Sequence, residues 1–78
     1  IRMVQLEVTL TGRSKSFTEK TLQECIAKFF DEYGEAIKEV VECRTFETEN
    51  PKQYMSVGGN ESCVAWLKQM QQGAIDDR

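Results

Sequence analysis

Histidine is absent from this chain of 78 residues, and its absence excludes several kinds of chemistry. Without it, neither a Cys-His nor a Ser-His-Asp arrangement can form within one chain. The commonest general base and the commonest zinc ligand are missing as well. The sequence also contains no Cys-x-x-Cys pair and no Asp-x-Asp-x-Asp-Gly calcium loop. It therefore predicts a protein that is not an enzyme, with no catalytic residues, no metal and no cofactor.

A long apolar run and an excess of basic residues are also lacking. The longest uncharged apolar stretch is too short to cross a membrane, and no signal peptide is recognisable. Acidic residues outnumber basic ones by 13 to 10, and the basic residues form no stripe of the kind that binds phosphate backbones. We therefore expect a cytoplasmic protein with no membrane partner, and nucleic acid is not the favoured partner.

Cysteine is scarce: the chain contains only Cys25, Cys43 and Cys63. An odd number at wide spacing makes a poor disulfide framework, which favours a reducing, intracellular setting. Cys25 and Cys43 follow apolar patterns and are predicted to lie in the core. Cys63 has two interpretations. At the positive end of the last predicted helix it is a candidate reactive thiol. On an apolar stripe with Trp66 and Met70 it is a small buried residue.

The apolar periodicity predicts a strand at the N-terminus and a helix after it. Residues 3–11 alternate, with one apolar face formed by Val4, Leu6, Val8 and Leu10. The polar segment TGRSKS is predicted to be a connection. A helix is predicted over 16–34, with Ser16 and Glu19 as a capping box, Thr18 as an alternative N-cap and Gly34 as the C-cap. Its apolar stripe consists of Leu22, Cys25, Ile26, Phe29, Phe30 and Tyr33.

Two more strands and a second helix are predicted in the C-terminal half. The strands cover 37–47 and 53–58, and a turn at Asn50-Pro51 joins them into an antiparallel hairpin. In the strand predicted over 37–47, alternation places Val41, Cys43 and Thr45 on one face. The other face has Val40, Glu42, Arg44 and Phe46. The last helix is predicted from Glu61 to about Gln72, with Asn60 as its N-cap and Gly73 as its end.

The predicted order is β-α-β-β-α, and the fold class is α+β. Two helices would cover one face of a three-stranded sheet in a two-layer sandwich. We expect one small domain over 1–78, with a loose tail over 74–78. The first strand would lie parallel to a neighbour if the first helix makes a right-handed crossover. Met3 is one candidate for the native first residue, in which case residues 1–2 were added by cloning.

The glycine pair in QYMSVGGNESC raises the question of a phosphate-binding loop. A Walker A loop closes with Gly-Lys-Ser/Thr, and a dinucleotide fingerprint needs three spaced glycines; this segment has neither. Two interpretations remain: a strand-to-helix turn, or a simple anion site at a helix N-terminus. Glu61 would repel an anion there, so the turn is favoured.

A two-layer sandwich leaves one face of its sheet uncovered, and this face is the candidate interaction surface. Alternation places on it Gln5, Glu7, Glu42, Arg44, Phe46 and Tyr54. Aromatic residues on an open sheet can stack unpaired bases, but the two glutamates oppose a phosphate backbone. A protein partner fits better, either a different protein or a second copy of the chain across the face or along a strand edge, forming a homodimer. An ordinary mixed surface is the remaining alternative.

The segments LEVTL (6–10) and YMSVGG (54–59), with the helix that follows, resemble in outline the DinI family of small modulators of the RecA recombinase. The resemblance covers most of the chain and the predicted order β-α-β-β-α. It implies a recombinase as partner, contacted by an acidic C-terminal helix. In this sequence the acidic residues of that region are Glu61 and, beyond the helix, Asp76 and Asp77. No binding residue is carried over from the family.

The predicted function is that of a small interaction module, an inhibitor or modulator of the kind encoded by phages and mobile elements. It would act by binding a larger protein, whose identity the sequence does not give. An acidic surface can complement basic, nucleic-acid-binding proteins and accelerate encounter. The alternatives are a DinI-like modulator of a recombinase, single-stranded nucleic-acid binding through the open sheet face, and a thiol-dependent activity at Cys63.

Overall fold

Four strands form one antiparallel sheet, and two helices pack on one of its faces. The computed structural model describes residues 2–47 and 49–72, with the backbone alone for 50–54. The strands, in the sheet order β2-β1-β3-β4, are β1 (Val4–Leu10), β2 (Arg13–Glu19), β3 (Val40–Glu47) and β4 (Asn50–Gly58); the helices are α1 (Leu22–Tyr33) and α2 (Asn60–Gln71). A 3₁₀ helix over Gly34–Glu39, called the 3₁₀ segment below, joins α1 to β3. The predicted α+β class is confirmed. In the described part of the chain, no helix has the length and apolar character needed to span a membrane.

The predicted number of strands is wrong, because β2 lies where a connection was expected. Thr11 and Gly12 make the turn, and Gly12 has a φ of 79°, which residues with a side chain rarely adopt. All of β2 pairs with β1 in unbroken register. Only Phe17 of β2 is buried, so the strand carries almost no apolar alternation to reveal it. The element order is therefore β-β-α-β-β-α, which differs from the order shared with the DinI family.

Helix α1 begins later than predicted, because residues 13–19 belong to β2. The predicted capping box of Ser16 and Glu19, and the alternative N-cap Thr18, are wrong. Thr21 is the N-cap: its Oγ1 accepts a bond from the Glu24 backbone N–H at 3.2 Å. The Glu24 carboxylate in turn accepts from the Thr21 backbone N–H at 3.2 Å, which completes a capping box. Gly34 is the C-cap, as predicted.

Thr21→Ala is expected to lower the free energy of unfolding by about 1 kcal/mol, since it removes the hydroxyl that caps α1. The control is Ser16→Ala, which changes an exposed residue in the middle of β2 and should cost less than about 0.5 kcal/mol. Urea unfolding followed by circular dichroism measures both. A Ser16→Ala loss equal to that of Thr21→Ala would contradict this N-terminus for α1.

The sheet is antiparallel throughout the described strands. Both β2 and β3 pair antiparallel with β1, so β1 has no parallel neighbour. Helix α1 connects β2 to β3, which lie on the two sides of β1. Residues 34–39 form the 3₁₀ segment, so β3 begins at Val40 and not at residue 37.

A bulge in the pairing of β1 with β3 corrects the predicted faces of β3. Leu10 lies opposite Val40 and Thr9 lies opposite Glu42, which leaves Val41 without a partner on β1. Val40 is consequently buried in the core, whereas Val41 is 44% exposed.

The antiparallel hairpin of β3 and β4 is confirmed. Strand β4 begins at Asn50, so the predicted turn residues Asn50 and Pro51 lie inside the strand. Helix α2 begins and ends one residue earlier than predicted. Gly73 and the predicted tail over 74–78 lie outside the described residues.

The core fills the space between the sheet and the two helices. Its buried residues are Leu6, Val8, Leu10, Phe17, Cys25, Ile26, Phe29, Val40, Cys43, Cys63 and Leu67. Phe29 is the largest fully buried side chain among the described residues. Its ring stacks on that of Tyr33, with the ring centroids 5.9 Å apart, and meets the Phe17 ring edge-on, with the centroids 6.2 Å apart. The stripes of both helices therefore face the same side of the sheet.

Candidate protein-interaction surface

The face of the sheet turned away from the helices has no covering layer among the described residues. Successive side chains on a strand point to opposite faces, so the neighbours of the core residues form this surface. We call it the open face, and it consists of Gln5, Glu7, Thr9, Ser14, Ser16, Thr18, Glu42, Arg44, Phe46 and Ser56.

The two central strands bring most of the predicted interaction residues together. Gln5 lies opposite Phe46 and Glu7 lies opposite Arg44, while Glu42 is next along β3, opposite Thr9. The backbone of the sixth predicted residue, Tyr54, pairs with Phe46, and its side chain lies outside the described part of the structure.

The Glu42 carboxylate organises the centre of the open face. Its Oε2 atom accepts a hydrogen bond from Ser56 Oγ at 3.0 Å and from Arg44 Nε at 3.3 Å. The Arg44 side chain is 45% exposed and that of Glu42 is 33% exposed, so the ion pair contributes at most about 1 kcal/mol. Its main effect is to orient Arg44, whose terminal guanidinium nitrogens make no further bond within the described chain.

Strand β2 widens the open face with a row of hydroxyl groups that was not predicted. Ser14, Ser16 and Thr18 are all exposed and lie beside Thr9, Glu7 and Gln5 of β1. The sequence signal was their alternation with Lys15 and Phe17, which is weak because only Phe17 is apolar. With this row, the open face extends over all four strands.

Among the described residues of the open face, the hydroxyl group that bonds a carboxylate is that of Ser56. Among the residues that the structure describes, no three His, Cys, Asp or Glu side chains are grouped so that they could hold a metal ion.

The three cysteine thiols all lie in the core, away from the open face. Cys63 Sγ donates to the Val57 carbonyl at 3.1 Å, and Cys25 Sγ donates to the Val4 carbonyl at 3.4 Å. Burial raises the pKa of the Cys63 thiol above its ordinary value of 9.0, and it raises the pKa of Cys25 and Cys43 as well. Of the two interpretations of Cys63, these contacts favour the buried packing residue.

Alkylation of Cys63 by iodoacetamide is expected to be slower by orders of magnitude in the folded protein than in urea. The thiolate is the reacting form, and a buried thiol with a raised pKa is almost entirely protonated at neutral pH. Peptide mass spectrometry of a time course measures each cysteine separately, with Cys25 and Cys43 as internal references. Rapid native modification confined to Cys63 would restore the reactive-thiol interpretation.

The prediction that Asn60 caps α2 with its side chain is wrong. The N-cap is Gly59, with a φ of 92°, and no side chain caps this helix. The Asn60 Nδ2 group instead donates to three backbone carbonyls: Ile37 at 3.1 Å, Lys38 at 3.2 Å and Val40 at 2.8 Å. Asn60 thus fastens the start of α2 to the 3₁₀ segment and to β3.

The glycine pair connects β4 to α2. Gly58 ends the strand, and the Gly59 N–H donates to the Val41 carbonyl at 2.9 Å. One of the backbone donors that an anion would need is thereby used within the fold.

Comparison with known proteins yields no matching family model, and neither a curated protein nor a solved structure matches the chain significantly. The fold and the open face define a small two-layer α+β protein with a four-stranded antiparallel sheet.

Proposed function

We propose that this protein is a small non-enzymatic interaction module that inhibits or modulates a larger protein by binding it through the open face. The observation that supports this proposal is the cluster on β1 and β3, where Gln5 pairs with Phe46 and Glu7 pairs with Arg44 on the face turned away from the helices. Arginine and aromatic residues are enriched at the centres of protein interfaces.

The charges of the open face indicate the chemistry of the partner. Glu7 lies opposite Arg44 on β1, Glu42 lies two residues before Arg44 on β3, and the whole chain has a net charge of −3. A partner surface with basic side chains would complement the two glutamates and be attracted over a distance set by ionic strength. The hydroxyl row on β2 adds hydrogen-bonding groups along one edge, which suits a flat protein surface.

The proposal is tested by capturing partners from the source cell or its host and measuring the affinity of the purified partner for two variants. Ser16→Arg places a long cationic side chain on the open face, and Gln69→Arg makes an equal change in charge on the exposed side of α2. Ser16→Arg is expected to weaken binding at least tenfold, and Gln69→Arg less than twofold.

Repeated captures without a saturable partner would overturn the proposal. Equal affinity of both variants would place the interface elsewhere on the chain. Two further measurements cover the other occupants of the open face: fluorescence anisotropy with single-stranded oligonucleotides at low salt, and light scattering for a second copy of the chain. Saturable oligonucleotide binding that Ser16→Arg strengthens would favour nucleic acid over a protein partner.

A further inference from the structure

A groove on the helical side of the molecule lies between the 3₁₀ segment and α2. Its volume is about 480 Å³, and its lining is mostly apolar. Ile37 forms one wall, Val64 and Ala65 form the other, and the side chains of Lys38 and Lys68 border the groove. A groove of this size and lining is suited to an aliphatic side chain from another molecule.

The hydrogen bonds of Asn60 hold the two walls together. Asn60 is the first residue of α2, and its Nδ2 group donates hydrogen bonds to the carbonyls of Ile37 and Lys38 in the 3₁₀ segment. The groove therefore exists before any partner binds, and little conformational freedom is lost when it is filled.

The positive charges that line the groove are those of Lys38 and Lys68. Every arginine in the described part forms an ion pair, as does Lys28. Lys38 and Lys68 form none there. Glu61 also lines the groove. The groove lies beside the N-terminal end of α2, where no side chain caps the helix and the backbone N–H groups are partly positive. With two lysines and one glutamate, the residues that line the groove carry a net charge of +1, whereas the whole chain carries −3.

We infer that this groove binds an acidic amphipathic segment of a protein partner. An aliphatic side chain of that segment would lie between Ile37 and Val64, and flanking carboxylates would pair with Lys38 and Lys68. This surface is separate from the open face, and the inference stands whether or not the open face binds a protein.

The test uses a fluorescein-labelled helical peptide of about 15 residues, with leucine at i, i+3, i+4 and i+7 and glutamate elsewhere. The comparison peptide carries lysine in place of glutamate. In anisotropy titrations with the full chain, the acidic peptide is expected to bind saturably and at least tenfold more tightly than the basic one.

Matched charge reversals locate the site. K38E/K68E is expected to weaken binding of the acidic peptide about tenfold, because two attractions become repulsions. K15E/K20E makes the same change in net charge at two other lysines without ion pairs in the described chain, and it should change affinity less than about twofold. Should K38E/K68E fail to fold, K38Q/K68Q replaces it, with a loss of about threefold expected.

Three results would each overturn the inference: equal binding of the acidic and basic peptides, equal losses for the two charge-reversed variants, or no saturation. A single-stranded oligonucleotide that binds through Lys38 and Lys68 more tightly than the acidic peptide would overturn the assignment to a protein segment. Ser16→Arg, which tests the open face, should leave peptide binding unchanged, so failure of one proposal is distinguishable from failure of the other.

Discussion

Phe29→Ala is expected to lower the free energy of unfolding by about 3–5 kcal/mol, the range for removing a buried aromatic side chain. The Phe29 side chain has no solvent exposure, and its ring contacts Phe17, Phe30 and Tyr33. The substitution removes the centre of this ring cluster and leaves a cavity between α1 and the sheet. A domain of this size has a total stability of only about 5–10 kcal/mol, so the variant should be close to unfolding at room temperature.

Ala27→Ser on the exposed side of α1 is the control and should change stability by less than about 0.5 kcal/mol. The fluorescence of Trp66, the only tryptophan, follows unfolding in urea for both variants. A loss below about 1.5 kcal/mol for Phe29→Ala would mean that the ring is not packed as the structure has it.

Asn60→Asp is expected to destabilise the protein by about 3 kcal/mol, and more than Asn60→Ala does. The amide group donates to the carbonyls of Ile37, Lys38 and Val40. Alanine removes the donor, which we expect to cost about 1–2 kcal/mol. Aspartate replaces it with a carboxylate whose oxygens face three carbonyl oxygens without a proton to share.

The order of the two substitutions separates the two possible roles of Asn60. Aspartate is as good an N-cap as asparagine, so a capping role would make Asn60→Asp the milder change. The bonds to the carbonyls make it the more severe one. Urea unfolding at pH 7 measures both, and lowering the pH towards 3 should reduce the difference as the aspartate becomes protonated. A stability of Asn60→Asp close to that of the parent would contradict the bonds seen in the structure.

Much of the open face could be predicted because its central strands alternate. Gln5 and Glu7 alternate with buried Leu6 and Val8, and this local pattern specifies a face once the segment is a strand. The hydroxyl row of β2 could not be predicted in this way, since a strand with one buried residue looks like a polar loop. The extended conformation of β2 depends on hydrogen bonds to β1, and the periodicity of the sequence does not encode those bonds.

The groove beside α2 was beyond prediction for a related reason. It depends on the 3₁₀ segment, whose last three residues were predicted to belong to a strand, and on the bonds of Asn60 to residues that are distant in sequence. An asparagine after two glycines has the local signature of a helix cap, and nothing local reveals that its amide group is used elsewhere.

The sequence by itself determined the strands β1 and β3, the body of both helices and the apolar stripe of α1, because each has a hydrophobic period that matches one secondary structure. It also determined the α+β class. The tertiary structure alone decided the formation of strand β2, the bulge that places Val40 in the core and the role of Asn60. These features depend on hydrogen bonds between backbone or side-chain groups that are far apart in the sequence. Buried backbone N–H and C=O groups need hydrogen-bond partners, and which group serves as partner is decided only when the chain has folded.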